Sequence, residues 1–493
     1  MQQATRTAPA APFVAGAVAL ALVAALRIVA TYGVFGQTFD EPAHIACGLE
    51  AATTGRYTME PQHPPLGRIP IGIALRIAGV SWPGSGNLWT VGNRILYGSG
   101  PYLRTLAAAR AGTLPFLIAL IVTTWWWSRR LYGEWIALLA ALFVSTTPAL
   151  LGHGGLATND VALAAAVVFA LFCAARYLDD PSTPRALLLG AAVALAVTAK
   201  FSAPLYLAAG VAALLIVRRA RIDWRALPRH LAAIVPATVV TGWAVYFFRL
   251  DAWRTFAAGL DIARYHAQHG HPAYLLGANS PTGWWFFFIV AFLVKTPIAM
   301  IILAAAGARR WSEPLAIAVA FFAVTMPVHV AIGIRHFLPV YPFVAMLAAL
   351  GAARMAASRA GRAAAAVLLL WHVAATTLAH PDYLAYFNEA AAANADAILV
   401  DSDLDWGQDI LRLASAVDAR TTPLTVGYFG TAVPQRHLRV PFRTLRPGDE
   451  PHGWIALSVT ILRKSKPANR FAFLEGVPYT MVGKSIRLYY RAP

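Results

Sequence analysis

Two adjacent carboxylates, Asp40 and Glu41, follow the first long apolar segment of the chain. His44 comes soon after them, and His63 lies further on in a turn stiffened by Pro64 and Pro65. Acidic residues at a membrane boundary are costly and commonly have a function. The alternative is a helix cap, since acids are favoured in the first turn of a helix. Position alone leaves both interpretations open.

Further polar residues interrupt the apolar segments: Arg110, Asp160, Lys200, Arg335 and His336. A carboxylate can act as a general base, while Arg binds phosphate through its planar fork and Lys as a point charge. Transfer of a sugar from a polyprenyl phosphate needs both a base for the acceptor hydroxyl and positive charge on the departing phosphate. The residue types therefore suit a donor with its lipid tail in the bilayer and its phosphate at the surface.

Each of these residues also has a structural interpretation. Arg110 would snorkel from a helix end, Asp160 would cap a helix start, and Arg335 would be an ordinary loop charge. Lys200 differs, because a short hairpin of small apolar residues gives little structural reason for a cation.

Metal dependence stays open at this point. His266, His269 and His271 resemble a metal-binding cluster only loosely, and solvated loop histidines are the simpler interpretation. Carboxylates and other histidines follow no diagnostic spacing, so a divalent metal is neither indicated nor excluded. Cys47 and Cys173 are expected at different membrane depths, which argues against a disulfide and against a cysteine metal site.

The composition places these residues in a membrane protein. Of 493 residues, 58% are hydrophobic and only 13% are charged, too few to cover a soluble globule of this size. The net charge of +18 does not indicate nucleic acid, because the basic residues cluster in short gaps between apolar runs, as in cytoplasmic loops. These clusters are at 129–130, 176–185, 218–229, 309–310 and 354–362.

The apolar runs predict an all-α polytopic fold with about eleven transmembrane helices. Their odd number puts the N-terminus, with Arg6, inside and the tail outside. The outer face then holds the loops 36–105 and 250–283, which both contain amphipathic segments suited to the membrane interface. The predicted spans are 12–35, 106–127, 134–151, 161–178, 186–199, 203–217, 231–249, 284–304, 315–333, 337–353 and 363–379.

The composition changes at His380, where spanning runs stop and charged residues increase. AILVD at 397–401 reads as a strand, the amphipathic stretch from Asp405 as a helix, and LTVGYFG, WIALSVTIL and SIRLYYR as further strands. We therefore expect a transmembrane domain over 1–379 and a small extracytoplasmic α/β domain over 380–493. No glycine-rich nucleotide-binding loop is present in the sequence.

Several motifs together resemble a known superfamily. They are FDE at 39–41, HPPLG, HGGLATND, HAQHGHPAYLLG, WWFFFIVAFLVKTP, IRHFLPVYPF, PDYLAYFNEAA and DSDLDWGQDI. In this combination the chain resembles the bacterial phospholipid-carrier-dependent glycosyltransferases, which belong with the protein O-mannosyltransferases and lipid A aminoarabinose transferases in the GT-C superfamily. The resemblance covers nearly the whole chain.

The resemblance implies an inverting glycosyltransferase of the bacterial plasma membrane, with a polyprenyl-phosphate sugar as donor and its active site on the extracytoplasmic face. By motif match, Asp40 would be the catalytic base with Glu41 as its neighbour, Asp160 would be the acid of the second outer loop, and Arg335 would lie near the donor phosphate. Lys200, Arg110 and His63 are our further candidates for that phosphate.

One position departs from the pattern. Aminoarabinose transferases have Glu-Lys before the paired prolines, whereas this chain has Gln62-His63. A metal ligand at the first position and a lysine contact at the second are therefore not carried over, although a protonated His63 would replace the lysine.

The sugar and the acceptor, whether protein, lipid or polysaccharide, stay open. Two other classes compete with the enzyme: a non-catalytic subunit that binds lipid-linked sugar, and a transporter or flippase. Transporters commonly show repeated halves with broken helices at the midplane. We see no such repeat in the sequence.

Overall fold

The computed structural model describes residues 10–219, 225–467 and 469–493. Arg6 and part of the basic cluster at 218–229 lie outside the described residues. The α-helices of the membrane part are α1 (Ala11–Val29), α2 (Glu41–Thr54), α3 (Ile69–Ile77), α4 (Leu88–Gly98), α5 (Tyr102–Ala111), α6 (Leu114–Tyr132), α7 (Glu134–Thr146), α8 (Pro148–Gly154), α9 (Asp160–Asp179), α10 (Thr183–Ala199), α11 (Ala203–Arg218), α12 (Ala226–Val245), α13 (Ala252–His269), α14 (Phe287–Lys295), α15 (Ile298–Gly307), α16 (Glu313–Thr325), α17 (Tyr341–Met355) and α18 (Arg359–Leu378).

The predicted spans coincide with helices, and the helical membrane fold is confirmed. Among the described residues, five helices are long and apolar enough to cross a membrane, or seven if two bent pairs each form one span. Three shorter apolar helices, α10, α11 and α16, lie among them. The predicted run 315–333 is helical only to Thr325. Which ends of the helices face the outside stays a prediction.

Proline explains the two bent pairs. α7 and α8 meet at 57° before Pro148, and α14 and α15 meet at 111° before Pro297. The residue before each proline, Thr147 or Thr296, has an extended backbone, because the proline ring disfavours the helical conformation there.

The chain between α1 and α6 forms four short helices, α2 to α5. Glycine lets α2 and α3 pack in close contact: a Cβ on Gly72 would lie 1.8 Å from the Gly48 carbonyl oxygen. α3 lies in the 36–105 loop, where an amphipathic segment was predicted, and Arg68, just before α3, is buried. The loop therefore has its own core, lined by Ile45, Leu75 and Val91 among others.

The 250–283 loop forms α13 followed by a hairpin of β1 (Ala273–Leu275) and β2 (Ala278–Ser280). α13 crosses directly over the first loop. A Cβ on Gly259 would lie 2.0 Å from the carbonyl oxygen of Pro61, so this helix passes close to the turn that carries His63.

The described residues of the C-terminal part, 380–467 and 469–493, form three α-helices and five strands. These are α19 (Ala395–Ile398), α20 (Ile410–Ala416), α21 (Val459–Lys464), β3 (Leu424–Gly427), β4 (Phe442–Thr444), β5 (Gly453–Ser458), β6 (Tyr479–Val482) and β7 (Ile486–Arg491). The strands form one mixed sheet in the order β4-β3-β5-β7-β6. β3 runs parallel to β4 and β5, while β7 runs antiparallel to β5 and β6.

One predicted strand is wrong. The AILVD stretch contains the end of α19 and then the start of a short 3₁₀ helix, Asp401–Asp403. Leu399 and Val400 explain the difference, because they pack into the core of the membrane domain instead of pairing with the sheet. The helix predicted from Asp405 begins only at Ile410, and the strand predicted in WIALSVTIL ends at Ser458, where α21 starts. The domain boundary at 380 stays a prediction.

Candidate active site

Asp40 and Arg335 form the centre of the candidate site. The Arg335 Nη1 atom donates a hydrogen bond of 2.7 Å to Asp40 Oδ2. Asp40 lies directly before α2, after the segment that joins α1 to α2. Arg335 lies in a 3₁₀ helix, Ile334–Val340, that leads into α17. The side chain of Asp40 is 24% exposed and that of Arg335 is 10% exposed, so the pair is accessible from one side.

Asp160 and Lys200 form a second ion pair beside the first. Lys200 Nζ lies 2.6 Å from Asp160 Oδ1, and Arg335 Nη1 lies 3.8 Å from Asp160 Oδ2. Asp160 begins α9 and is fully buried, whereas Lys200 joins α10 to α11. The two acids and two cations therefore form one connected cluster that shares Arg335.

Some polar atoms of this cluster have no protein partner. Asp160 Oδ2, Arg335 Nε and His336 Nε2 are buried and make no hydrogen bond to any of the residues that the structure describes. Burying such groups unpaired costs free energy, so native structures leave few of them. Their concentration beside Asp40 indicates a place prepared for a polar ligand.

His63 lies next to the cluster in the turn predicted from its prolines. Leu66 N donates to the Thr198 carbonyl oxygen (3.0 Å), which fixes this turn against the end of α10. Burial, and then the charge of Arg68, hold the pKa of His63 well below its usual 6.5. This shift opposes the protonated His63 that would replace a phosphate-binding lysine, and that role stays a prediction.

Glu41 and Arg110 pair with each other instead of facing the cluster. Arg110 Nε and Nη2 each donate to one carboxylate oxygen of Glu41 at 2.8 Å, and the amides of Thr38 and Ala157 donate to the same carboxylate. Arg110 also donates to the carbonyl oxygens of Phe35 and Gly36. With both side chains buried and saturated, the geometry favours a structural role over the catalytic role predicted for Glu41 and the phosphate-binding role predicted for Arg110.

Arg68 donates several hydrogen bonds within the 36–105 loop, and the sequence did not reveal them. Its guanidinium donates to His44 Nδ1 (2.8 Å), the Tyr57 hydroxyl (2.5 Å) and Glu60 Oε2 (2.5 Å). Burial and this arginine lower the pKa of His44 well below 6.5. The only sequence signal for this buried arginine was a charged residue at the start of a short apolar segment. The same pattern is equally typical of an amphipathic helix at the membrane interface.

The sequence also left the role of Trp406 open. Its buried ring lies under the Arg335 guanidinium, with the Cζ atom 4.4 Å from the ring centroid, a cation–π geometry. His153 approaches the same ring at a centroid distance of 6.2 Å. The DSDLDWGQDI motif thus reaches the site from the C-terminal part of the chain.

In the described part of the chain, no three His, Cys, Asp or Glu side chains are grouped closely enough to hold a metal ion. His266 and His271 stack with centroids 4.9 Å apart, while His269 stacks on Tyr265. The loop histidines thus pack on rings. The candidate site that we carry forward is Asp40, Asp160, Lys200 and Arg335, with His63 and His336 beside them.

Comparisons with known proteins fit this arrangement. The family model described as dolichyl-phosphate-mannose-protein mannosyltransferase matches residues 104–246, which include Asp160 and Lys200. No curated protein sequence matches significantly. The crystal structure of ArnT from Cupriavidus metallidurans bound to undecaprenyl phosphate is 14% identical, covers 96% of this chain and 97% of its own, and gives a TM-score of 0.53. The apo structure of the same ArnT gives 0.52 at the same identity and coverage.

At this identity the likeness establishes the fold. Because it extends over nearly the whole of both chains, the transmembrane helices and the C-terminal sheet belong to one shared architecture. The chain therefore shares the fold of ArnT, which is the GT-C fold that the motifs predicted.

Proposed function

We propose that this protein is an inverting glycosyltransferase that moves a sugar from a polyprenyl-phosphate donor to a hydroxyl of an acceptor outside the cytoplasm. The observation that carries the proposal is the Asp40–Arg335 contact beside the Asp160–Lys200 pair. It brings together the base and the cations that such a transfer needs. The undecaprenyl phosphate in the ArnT structure and the mannosyltransferase family model support a lipid-phosphate donor.

In this mechanism Arg335 has two partners in turn. The donor phosphate replaces Asp40 on the Arg335 guanidinium, which suits bidentate phosphate binding, and Lys200 adds a second positive charge. Asp40, released from Arg335, then faces the acceptor hydroxyl as general base. Asp160 stays between Lys200 and Arg335 and holds both cations in place.

The transfer itself is a single displacement. The acceptor oxygen forms a bond to the anomeric carbon and its proton passes to Asp40, while the bond from that carbon to the phosphate oxygen breaks. The electron pair of that bond leaves on the phosphate, where Arg335 and Lys200 stabilise the charge. One displacement inverts the anomeric configuration. A retaining route would require a second carboxylate as nucleophile, and the second acid here, Asp160, is buried against two cations.

The acceptor is a hydroxyl of a protein, a lipid or a polysaccharide, and the site is placed on the outer face of the bacterial plasma membrane. Both assignments follow from the predicted topology and the resemblance. A transporter or flippase would place its charges at the midplane between repeated halves. A non-catalytic subunit would bind the donor without turnover.

One experiment separates these classes. The purified protein in lipid nanodiscs is incubated with a radiolabelled polyprenyl-phosphate sugar and a membrane extract. We expect labelled acceptor and free carrier phosphate, and we expect Asp40→Asn to abolish both while donor binding persists. Asp261→Asn, at an acid whose side chain is 74% exposed, is the matched control. Undiminished transfer by Asp40→Asn would reject the base, and binding without transfer by the unmodified protein would reject the enzyme.

A further inference from the structure

The segment Ser402–Gln408 contacts the loop that carries Arg335. Ser402 Oγ donates to the Ile332 carbonyl oxygen (2.6 Å), and Ile334 N donates to Asp403 Oδ1 (2.9 Å). Gly333, between those two residues, allows this approach: a Cβ there would lie 2.2 Å from Ser402 Oγ. The backbone on the N-terminal side of Arg335 is therefore held by this segment.

The same segment holds the backbone on the N-terminal side of Asp40. Phe39 N donates to the Trp406 carbonyl oxygen (2.9 Å), and Gly36 N donates to the Gln408 carbonyl oxygen (2.9 Å). Gln408 keeps the segment in shape, since its Oε1 accepts from Trp406 N and its Nε2 donates to the Leu404 carbonyl oxygen, both at 2.8 Å. The segment Ser402–Gln408 thus contacts both of the loops that carry Asp40 and Arg335.

The ring of Trp406 supplies a third contact, to the arginine itself. It lies under the guanidinium at 4.4 Å, on a side chain that is 2% exposed. An aromatic face attracts a cation without neutralising it. Arg335 therefore stays oriented by Trp406 when a phosphate takes the place of Asp40.

The segment is fixed in turn to α21 and to the residue that follows β3. Thr460 N donates to Asp405 Oδ2 and Thr460 Oγ1 to the Asp405 carbonyl oxygen, both at 2.9 Å. The Tyr428 hydroxyl donates to the Gly407 carbonyl oxygen (2.6 Å). On the membrane side, Lys295 Nζ donates to the Asp403 carbonyl oxygen (2.6 Å).

We propose that Ser402–Gln408 is a positioning segment through which the C-terminal domain sets the geometry between Asp40 and Arg335, with Trp406 as its principal positioning residue. The inference rests on the proposed function for its effect on turnover, but the contacts themselves do not depend on it. Asp40 and Arg335 come from distant parts of the chain, so neither local helix geometry nor a turn fixes their separation. A displacement of about 1 Å in an active site can cost on the order of 10²-fold in rate.

Turnover provides the first test. We expect Trp406→Leu, which removes the aromatic face, to lower kcat by 10- to 100-fold while the donor KM changes by less than about 3-fold. Trp406→Phe, which keeps an aromatic face, should restore most of kcat. Trp454→Leu is the matched control, because Trp454 lies in β5 and donates to the Arg420 carbonyl oxygen away from the site.

Hydrogen–deuterium exchange provides a second test that needs no activity. Phe39 and Ile334 donate their amides to the segment, so peptides covering 34–41 and 330–338 should exchange faster in Trp406→Leu than in Trp454→Leu. Ser402→Ala, a smaller change, should accelerate exchange in 330–338 alone. This readout keeps the inference testable if Trp406→Leu lowers stability or if the unmodified protein proves to have no transferase activity.

The outcomes are distinguishable. Reduced kcat with rescue by Trp406→Phe and faster exchange in both peptides supports the proposal. Unchanged exchange, or an equal loss of kcat in Trp406→Leu and Trp454→Leu, overturns it. If the unmodified protein shows no sugar transfer, the proposed function is overturned. Faster exchange in Trp406→Leu would then still support the structural part of this inference.

Discussion

Arg335 Nη1 lies 2.7 Å from Asp40 Oδ2, so the residue proposed to bind the donor phosphate is already occupied by the residue proposed to act as base. While this pair is intact, Asp40 Oδ2 is hydrogen-bonded to Arg335 and is not available to an acceptor hydroxyl. Donor binding would therefore do two things at once: it would neutralise Arg335 with phosphate and release Asp40. We therefore expect ordered binding, in which the donor binds before the acceptor.

Replacing Arg335 tests that exchange. Arg335→Lys keeps the charge but loses the planar fork, and we expect kcat/KM for the donor to fall on the order of 10-fold; Arg335→Met should lose on the order of 10²- to 10³-fold. Steady-state transfer with a synthetic lipid-phosphate sugar measures both. Arg264→Lys, at an arginine that is 66% exposed, is the control. Equal activity of the Met and Lys variants would show that the charge of Arg335 is not used.

The pair between Lys200 and Asp160 predicts a stability effect. Lys200→Met leaves the fully buried Asp160 with only the 3.8 Å contact to Arg335, and breaking a buried pair costs about 3–5 kcal/mol. We expect a lower thermal unfolding midpoint in detergent for this variant. The double variant Asp160→Asn with Lys200→Met should recover much of the loss, because no uncompensated charge stays buried. Additive losses in the double variant would contradict the pairing.

The ion pair between Glu41 and Arg110 predicts a separation of stability from catalysis. Glu41→Gln should lower the unfolding midpoint, since Arg110 loses its counter-charge in a buried site. The folded fraction should keep near-normal kcat, whereas Asp40→Asn should show the reverse pattern. The two variants are compared by measuring their unfolding midpoints and their transfer rates, with each rate divided by the amount of monodisperse protein. A well-folded but inactive Glu41→Gln would return Glu41 to a catalytic role.

Asp405 predicts a pH dependence of stability. Burial raises the pKa of Asp405 from 3.8 to about 7, although amides of Thr460 and Gly407 oppose the rise. Because the folded-state pKa lies above the unfolded value, the protonated group favours the fold below about pH 4 and this contribution is lost as the pH rises through about 7. The rise corresponds to ~4 kcal/mol of the free energy of unfolding.

Asp405→Asn should therefore gain stability relative to the unmodified protein as the pH is raised from 5 to 8. Thermal unfolding midpoints of both proteins across that range measure the difference, and Asp261→Asn serves as an exposed control. A constant difference between variant and unmodified protein would show that Asp405 does not titrate in this range.

Much of the architecture follows from local pattern. Apolar runs of spanning length predict helices because the backbone in a bilayer must satisfy its own hydrogen bonds, and these runs coincide with α1, α6, α9, α17 and α18 among others. Prolines at 148 and 297 then break two of them. Sheet strands with β-branched and aromatic residues, such as β3 and β7, were likewise predictable.

The division of roles between Asp40 and Glu41 was not predictable. The two are neighbours in sequence and chemically alike, yet Asp40 lies just before α2 and Glu41 is its first residue, so their side chains point in different directions. One therefore faces Arg335 and the other Arg110. Only the packing of distant helices decides which of the two is buried and paired, and which is left at the edge of the site.

The composition and order of residues in this chain determined a membrane-embedded helical domain, a C-terminal sheet, and the acids and cations available for chemistry. Tertiary structure alone decided that Leu399 and Val400 pack in the core of the helical domain instead of forming a strand of the sheet. It also decided that Trp406 lies under Arg335. The physical reason is range. Hydropathy and backbone preference act within one segment, whereas ion pairing and cation–π contact need groups that come together only when the whole fold has formed.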